Sequence, residues 1–279
     1  MQLSSIKISQ KLPKRAFDSH KGMNGSIAII GGDKGMTGAA LMAARAALLT
    51  GAGRTYLSFL DEQAPSVDMQ HPEIMVRSPN ELSQLKQLDC VVIGPGLGLS
   101  KSALSLLEFW LAQETKLLIY ADALNLIAEH EGLANVLKKR QAETVITPHP
   151  GEASRLLKHA IELDQRIESA LALAKSLHVS CVLKGAKSVI AHHDGRHFIN
   201  TTGNAGLASG GTGDVLSGII GSLMTQGLNG LDAASAGVYI HGAAADALVV
   251  SGTGPLGLTA SEVALAARNI INQLNLTRA

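Results

Sequence analysis

The sequence predicts an α/β fold: a mostly parallel central sheet covered by helices on both faces. Two observations predict it. Short, wholly apolar β-branched runs alternate with Ala- and Leu-rich stretches from residue 26 to residue 183, and most of those runs end abruptly in glycine-rich or polar turns. Runs without polar alternation belong to strands buried on both sides, which is the situation of parallel strands joined by crossover helices.

Residues 26–30, Ser-Ile-Ala-Ile-Ile, form the first strand and enter Gly31-Gly32. Residues 38–49 are almost entirely Ala, Leu and Met around a single Arg45; these are strong helix formers, and Gly51 and Gly53 stop them. A second strand follows at 55–60. The strand at 90–93 then runs into Gly94-Pro95-Gly96-Leu97-Gly98, with a helix at 102–112, and the strand at 117–120 runs into Asp122, with a helix at 124–129. Next, residues 144–146 run into Thr147-Pro148-His149-Pro150-Gly151-Glu152, helices occupy about 151–157 and 164–177, and a strand fills 179–183. Asp194-Gly195 favours the positive φ of a tight turn, so residues 187–191 and 197–199 read as a hairpin. Alternation there puts His192 and His193 on opposite faces of exposed chain, which argues against a metal site with His197. Beyond the hairpin come a glycine-rich loop and helices at 214–225, 231–250 and 261–274. No low-complexity linker or internal repeat interrupts the chain, and residues 1–279 are expected to form a single domain.

Composition narrows the function classes. Lys+Arg 24 against Asp+Glu 23 gives a net charge of +1, so there is no general attraction to nucleic acid or to an anionic membrane. Aromatic residues are only 3% of the chain, too few for base-stacking platforms. Cys90 and Cys181 each sit in an apolar run and are expected to be buried reduced thiols. Residues 1–15 carry Lys7, Lys11 and Lys14 without a following apolar block, unlike a signal peptide. The apolar stretch 231–250 contains Asp232, His241 and Asp246, which suits a buried helix better than a membrane span. The expected compartment is the cytoplasm.

In open α/β sheets, ligands bind beyond the carboxyl ends of the strands. Five strand ends here carry unusual residues: the loop from Gly31 to Ala40, the loop from Gly94 to Gly98, Asp122-Ala123-Leu124-Asn125, the 147–152 segment, and Lys184-Gly185-Ala186-Lys187-Ser188. All are expected at one edge. The sixth and strongest piece is 204–214, ending Gly210-Gly211-Thr212-Gly213-Asp214 and leading straight into a helix. Glycines let backbone amides approach an anion, and the helix start adds partial positive charge, so a phosphate over Gly211, Thr212 and Gly213 would be held by unpaired N–H groups with Asp214 beside it. The plainer alternative is that Thr212 or Asp214 merely caps the helix. The glycine loops at 31–38 and 94–98 both miss the G-x-G-x-x-G spacing and no Gly-Lys-Ser/Thr closes a P-loop, which disfavours a dinucleotide-binding dehydrogenase.

Taken together, these motifs resemble the ribokinase-like superfamily, whose fold is a three-layer sandwich and whose Gly-x-Gly-Asp element forms an anion hole and supplies a base. The ordered set is most similar to the ADP/ATP-dependent NAD(P)H-hydrate dehydratase family. It comprises Asn24-Gly25-Ser26 into Gly31-Gly32, the Gly38-Ala39-Ala40 helix start, Gly94 to Gly98, Asp122 to Asn125, Thr147 to Glu152, Lys184-Gly185, and Asn204 through Asp214, and it extends over residues 21–272. The resemblance implies a stand-alone dehydratase without the epimerase domain fused in some relatives.

That resemblance implies repair chemistry: hydrated NADH or NADPH is phosphorylated on its ring hydroxyl and loses phosphate, with AMP formed when ADP is the donor. By the resemblance, Asp214 is the catalytic base. Ala39, Gly96, Gly98, His149 and Asp214 face the hydrated dinucleotide. Lys184, Gly185, Ala186, Lys187, Ser188, Gly211, Thr212 and Gly213 face the adenine nucleotide. As in other phosphoryl transfers, Mg²⁺ is expected to bridge the nucleotide phosphates, with Glu152 and Asp122 as candidate outer contacts and nucleotide oxygens and waters as its main ligands. The resemblance further implies a homotetramer and functional pairing with an NAD(P)H-hydrate epimerase. Two alternatives remain open at this point: a small-molecule kinase of the same fold, such as a hydroxyethylthiazole kinase, and a catalytically silent nucleotide-binding regulator. The glycine loops at 31–38 and 94–98 are expected to leave backbone room for a second bulky ligand, which favours the dehydratase.

Overall fold

The computed structural model describes residues 1–276. Their strands form one nine-stranded sheet in the order β3-β2-β1-β4-β5-β6-β7-β8-β9. The strands are β1 (Ser26–Gly31), β2 (Arg54–Phe59), β3 (Met75–Val76), β4 (Cys90–Ile93), β5 (Lys116–Ile119), β6 (Thr144–Ile146), β7 (Ser180–Leu183), β8 (Val189–His192) and β9 (His197–Ile199). Neighbours from β3 through β7 pair in parallel, while β7–β8 and β8–β9 are antiparallel. All residues of β1, β4 and β7 are buried, as apolar strands covered on both faces must be.

Helices form the outer layers. On one face, α2 (Thr37–Leu49) and α9 (Thr212–Thr225) pack on each other and on the β1 side of the sheet, and α10 (Gly230–Val250) lies over β6, β7 and β8. Outside them run α11 (Ala260–Leu276) and the short α1 (Ser5–Lys11). The other layer contains α3 (Pro79–Ser83), α4 (Lys101–Leu111), α5 (Asp122–Glu129), α6 (Glu131–Lys139), α7 (Pro150–Leu157) and α8 (Arg166–Leu177). The predicted mostly parallel three-layer α/β architecture therefore holds. α10 is the one described helix long and apolar enough to cross a bilayer, and it packs against α9, α11 and the sheet. Cys90 and Cys181 are buried free thiols, and burial pushes the Cys90 thiol up to about 12.

Close helix packing explains the abundance of small residues. A Cβ on Gly218 of α9 would collide with the carbonyl of Ala43 on α2, and one on Gly237 of α10 would strike Ile220 of α9. The small-residue faces of α2 and α10 are thus used inside the chain.

Two differences from the sequence expectations appear. The helices α1, α3 and α6 and the two-residue β3 add to the expected elements. The His192 and His193 rings do not lie on opposite faces: their centroids are 4.0 Å apart, and His193 also stacks on His178 at 3.8 Å. Both rings are half-buried, because His193 lies beyond the end of β8, in the turn, where strand alternation no longer applies. The two glycine loops are in direct contact. Gly32 N–H donates to Pro95 O at 2.7 Å and Asp33 N–H to Gly96 O at 2.6 Å, so the loops after β1 and β4 lie directly on each other, and Cβ atoms at Gly31 and Gly94 would strike Pro95 and Tyr120 carbonyls.

Candidate active site

Parallel pairing from β2 to β7 brings all five strand-end motifs to one edge, and the 203–211 loop with the start of α9 joins them there. The order reverses between β1 and β4, so their two glycine loops flank the point where doubly wound sheets open a crevice. A cavity of about 650 Å³ lies on the β7 side. Its lining includes Lys184, Gly185, Ala186, Lys187, Ser188, Thr212 and Gly213, seven of the residues expected to face a nucleotide. Gly211 is not in that lining. It is the N-cap of α9, at φ +88°, tight against Met42 of α2.

The turn into α9 is built by anchors behind it. The Thr212 hydroxyl donates to the carbonyls of Leu207 at 2.8 Å and Ser209 at 3.0 Å. His241 of α10 places Nε2 2.9 Å from Thr212 O; burial pushes this histidine down to about 4, so it stays neutral and donates to that carbonyl. Asp246 of α10 accepts from Gly203 N–H at 2.8 Å and from the Asn204 amide at 3.0 Å. No side chain caps α9, so the capping alternative for Thr212 and Asp214 fails, and the first-turn amides stay unpaired. In the sequence His241 and Asp246 are only polar marks in an apolar stretch, and their i, i+5 spacing does not disclose a shared loop.

Asp214 is the third residue of α9, and burial alone pushes its carboxyl up to about 7. No hydrogen bond or ion pair engages that carboxylate among the described residues. A carboxyl at that value exchanges protons readily near neutral pH, which is what a general base needs.

The residues expected to face the hydrated dinucleotide are outside the lining of the 650 Å³ cavity: Ala39, Gly96 and Gly98 follow β1 and β4, whereas His149 follows β6, beside β7. Ala39, in the first turn of α2, has its Cβ 3.5 Å from where a Cβ on Gly96 would stand. Gly98 N–H donates to Asp122 Oδ2 at 2.9 Å. His149 is the N-cap of α7: its Nδ1 accepts from Gly151 N–H at 3.0 Å and Glu152 N–H at 3.4 Å, while Glu152 Oε2 accepts from His149 N–H at 2.7 Å. With Nδ1 accepting, Nε2 bears the proton of the neutral ring. Burial holds the histidine below its ordinary value, and Lys184 and Arg155 push in the same direction against Glu152.

Glu152 links the two sides. Its Oε1 is 3.5 Å from His149 Nε2, and its Oε2 is 3.8 Å from Lys184 Nζ. That ammonium also stands 5.4 Å from the Tyr120 ring centre and 3.7 Å from where a Cβ on Gly213 would be. A chain of contacts thus runs from His149 through Glu152 and Lys184 to the anion-holding turn. Another hollow, about 710 Å³, lies at the opposite edge of the sheet among the C-terminal ends of α2, α9 and α11, and has no helix N-terminus in its lining.

The donor set suits a metal ion that arrives on the nucleotide. Among the described residues no three His, Cys, Asp or Glu side chains gather into a cage, and the Asp122 and Glu152 carboxylates already accept backbone N–H groups.

Comparison with known proteins agrees with this geometry. The pattern of the NAD(P)H-hydrate dehydratase family matches residues 27–264. The chain is 38% identical to the ADP-dependent (S)-NAD(P)H-hydrate dehydratase of Neisseria meningitidis serogroup B, covering 98% of this chain and 94% of that one. It is 41% identical to the bifunctional NAD(P)H-hydrate repair enzyme Nnr of Escherichia coli over 97% of this chain and 52% of that one, so it spans about half that relative's length. Among solved structures, an ADP/ATP-dependent NAD(P)H-hydrate dehydratase from Bacillus subtilis, co-crystallized with ATP/Mg²⁺, is similar at TM-score 0.86 and 29% identity, with 98% of each chain covered.

Proposed function

The chain belongs to the NAD(P)H-hydrate dehydratase family, and from that premise we propose how its crevice works. The enzyme repairs nicotinamide nucleotides: it dehydrates (S)-NADH-hydrate and (S)-NADPH-hydrate to NADH and NADPH at the expense of ADP. Hydroxide leaves a carbon poorly, whereas phosphate leaves readily. The ring hydroxyl is therefore phosphorylated first, its oxygen attacking the terminal phosphorus of ADP while AMP departs. The lone pair of the ring nitrogen then expels phosphate as the carbon–oxygen bond breaks, and loss of a proton from the adjacent carbon restores the ring double bond.

Asp214 takes the hydroxyl proton as the attack proceeds. The unpaired amides of Gly211, Thr212 and Gly213 hold the charge that develops on the transferred group. Lys184, Gly185, Ala186, Lys187 and Ser188 cradle the adenine nucleotide. Ala39, Gly96, Gly98 and the Nε2–H of His149 hold the hydrated dinucleotide. A Mg²⁺ ion arriving with the nucleotide would supply charge neutralisation, and Asp122 and Glu152 are the carboxylates that would stand near it as outer contacts. The single observation that carries this reading is Asp214: an unpaired, desolvated carboxyl in the first turn of an uncapped helix, at the edge of a cavity of nucleotide size.

We further place the enzyme in the cytoplasm as a homotetramer, working beside an epimerase that supplies the S form of the hydrate. Family resemblance supports the tetramer and the epimerase pairing, and the compartment rests on the sequence expectation alone.

The test is to incubate hydrated NADH with ADP and Mg²⁺ and follow the near-ultraviolet band of the reduced nicotinamide. Return of the band, dependent on ADP, supports repair. Net accumulation of a phosphorylated small alcohol with no return of the band would make the protein a kinase of the same fold.

A further inference from the structure

Arg166 opens α8 and lies behind the nucleotide-facing loop, outside the lining of the cavity. Its guanidinium donates to three carbonyls of that loop: Nη1 to Ala186 O at 2.5 Å, and Nη2 to Leu183 O at 3.2 Å and Lys184 O at 3.1 Å. Its Nε is buried without a partner. In a trans peptide the carbonyl and the following N–H point in opposite directions. Three carbonyls drawn to Arg166 therefore turn the amides of Lys184, Gly185 and Lys187 the other way. The first of these donates to Pro148 O at 2.9 Å. The amides of Gly185 and Lys187 find no acceptor among the described residues, and both residues line the cavity.

The backbone carries the cost of this arrangement. Lys187 sits at φ +56° and Gly185 at φ +142°, and a Cβ on Gly185 would stand 2.8 Å from Arg166 Nη2, so the guanidinium occupies the space a side chain would need. Ser188 Oγ closes the loop by donating to Gly185 O at 3.0 Å.

We propose that Arg166 is a positioning residue for the phosphoryl donor: by gathering the carbonyls of the 183–186 segment it aims the amides of Gly185 and Lys187 at a phosphate of the bound nucleotide. The inference rests on the reading of this cavity as the nucleotide site. It assigns that site a second row of anion-holding amides, across from the row that opens α9. It also makes a cation that touches no ligand responsible for nucleotide affinity.

The experiment compares wild type with Arg166→Lys and Arg166→Ala. Readouts are the KM for ADP, the KM for hydrated NADH, kcat, and AMP affinity by calorimetry. Two amide bonds to a charged phosphate are at stake, so Arg166→Ala raises the ADP KM and weakens AMP binding by about 10- to 100-fold. The KM for hydrated NADH and kcat change by no more than about threefold on the same argument. Arg166→Lys, which keeps the charge but loses the fork, moves the same way by less. Added methylguanidinium recovers part of the ADP affinity of Arg166→Ala. A folded variant with unchanged ADP KM and AMP affinity overturns the proposal, as does an equal loss in both substrates. If Arg166→Ala does not fold, Arg166→Lys with wild-type nucleotide affinity overturns it alone. Failure of the underlying reading is separate: wild type itself would then bind no AMP and show no dependence on ADP.

Discussion

Asp214 is ionised only against the cost of its burial, and that makes its chemistry and its stability pull in opposite directions. Between its ordinary value of 3.8 and about 7 the folded protein keeps a proton that the unfolded chain has released, so this residue's contribution to stability falls as pH rises through that window. Asp214→Asn removes the loss, and the variant is expected to melt above wild type at about pH 8 and level with it near about pH 4, measured by thermal scans. Catalysis needs the carboxylate. The kcat/KM for hydrated NADH is expected to fall with a one-proton slope below about pH 7, and a flat profile down to about pH 5 would remove Asp214 as the base. The same substitution keeps AMP binding while cutting turnover by at least about 100-fold; near-full activity contradicts the assignment. Gly213-Asp214 was legible because its signal is local, glycines followed at once by a helix. Arg166 and His241 were not. Each acts by holding carbonyls of a loop distant in sequence, Arg166 on 183–186 and His241 on Thr212, and neither carries a spacing signature.

α9 is the element on which the site depends, and what fixes it is contact with α2. Gly218 faces the carbonyl of Ala43 with no space for a methyl group, so Gly218→Ala must push α9 away from α2. Overpacking of this kind costs about 1–3 kcal/mol, and a melting temperature lowered by roughly 5 °C is expected, with activity falling as the anion-holding turn shifts; an unchanged melting temperature would mean the helices yield freely. Strongly apolar or glycine-punctuated elements were readable along the chain. α3 was missed although Ser78 and Glu81 form a capping box, because its five residues make no apolar period. α6 was missed because only Leu133 and Leu137 mark its buried face and Gly132, in its first turn, is a poor helix former. β3, two residues long at the sheet edge, follows from pairing with β2 rather than from its own composition.

Across the whole molecule, parallel strand order brings both proposed ligand positions to one edge of the sheet, beside the turn into α9. The proposed nucleotide site is the β7-side cavity, the proposed dinucleotide contacts follow β1, β4 and β6, and Glu152 meets Lys184 where β6 and β7 end side by side. The strand order could not be read from the chain, since it is set by which crossovers place α2 and α4 on opposite faces. The small-residue faces of α2 and α10 pack within the chain, so the proposed tetramer would draw on other surfaces. Light scattering at low protein concentration is expected to return the mass of four chains; a monomer mass contradicts the assembly. The central claim is that the ring hydroxyl itself becomes the phosphorylated group. It is tested most directly by labelling that hydroxyl with heavy oxygen and analysing the products of ADP-dependent turnover. The account predicts the label in inorganic phosphate, because the substrate oxygen attacks phosphorus and its carbon bond then breaks. Label recovered in water, with unlabelled phosphate, would contradict it.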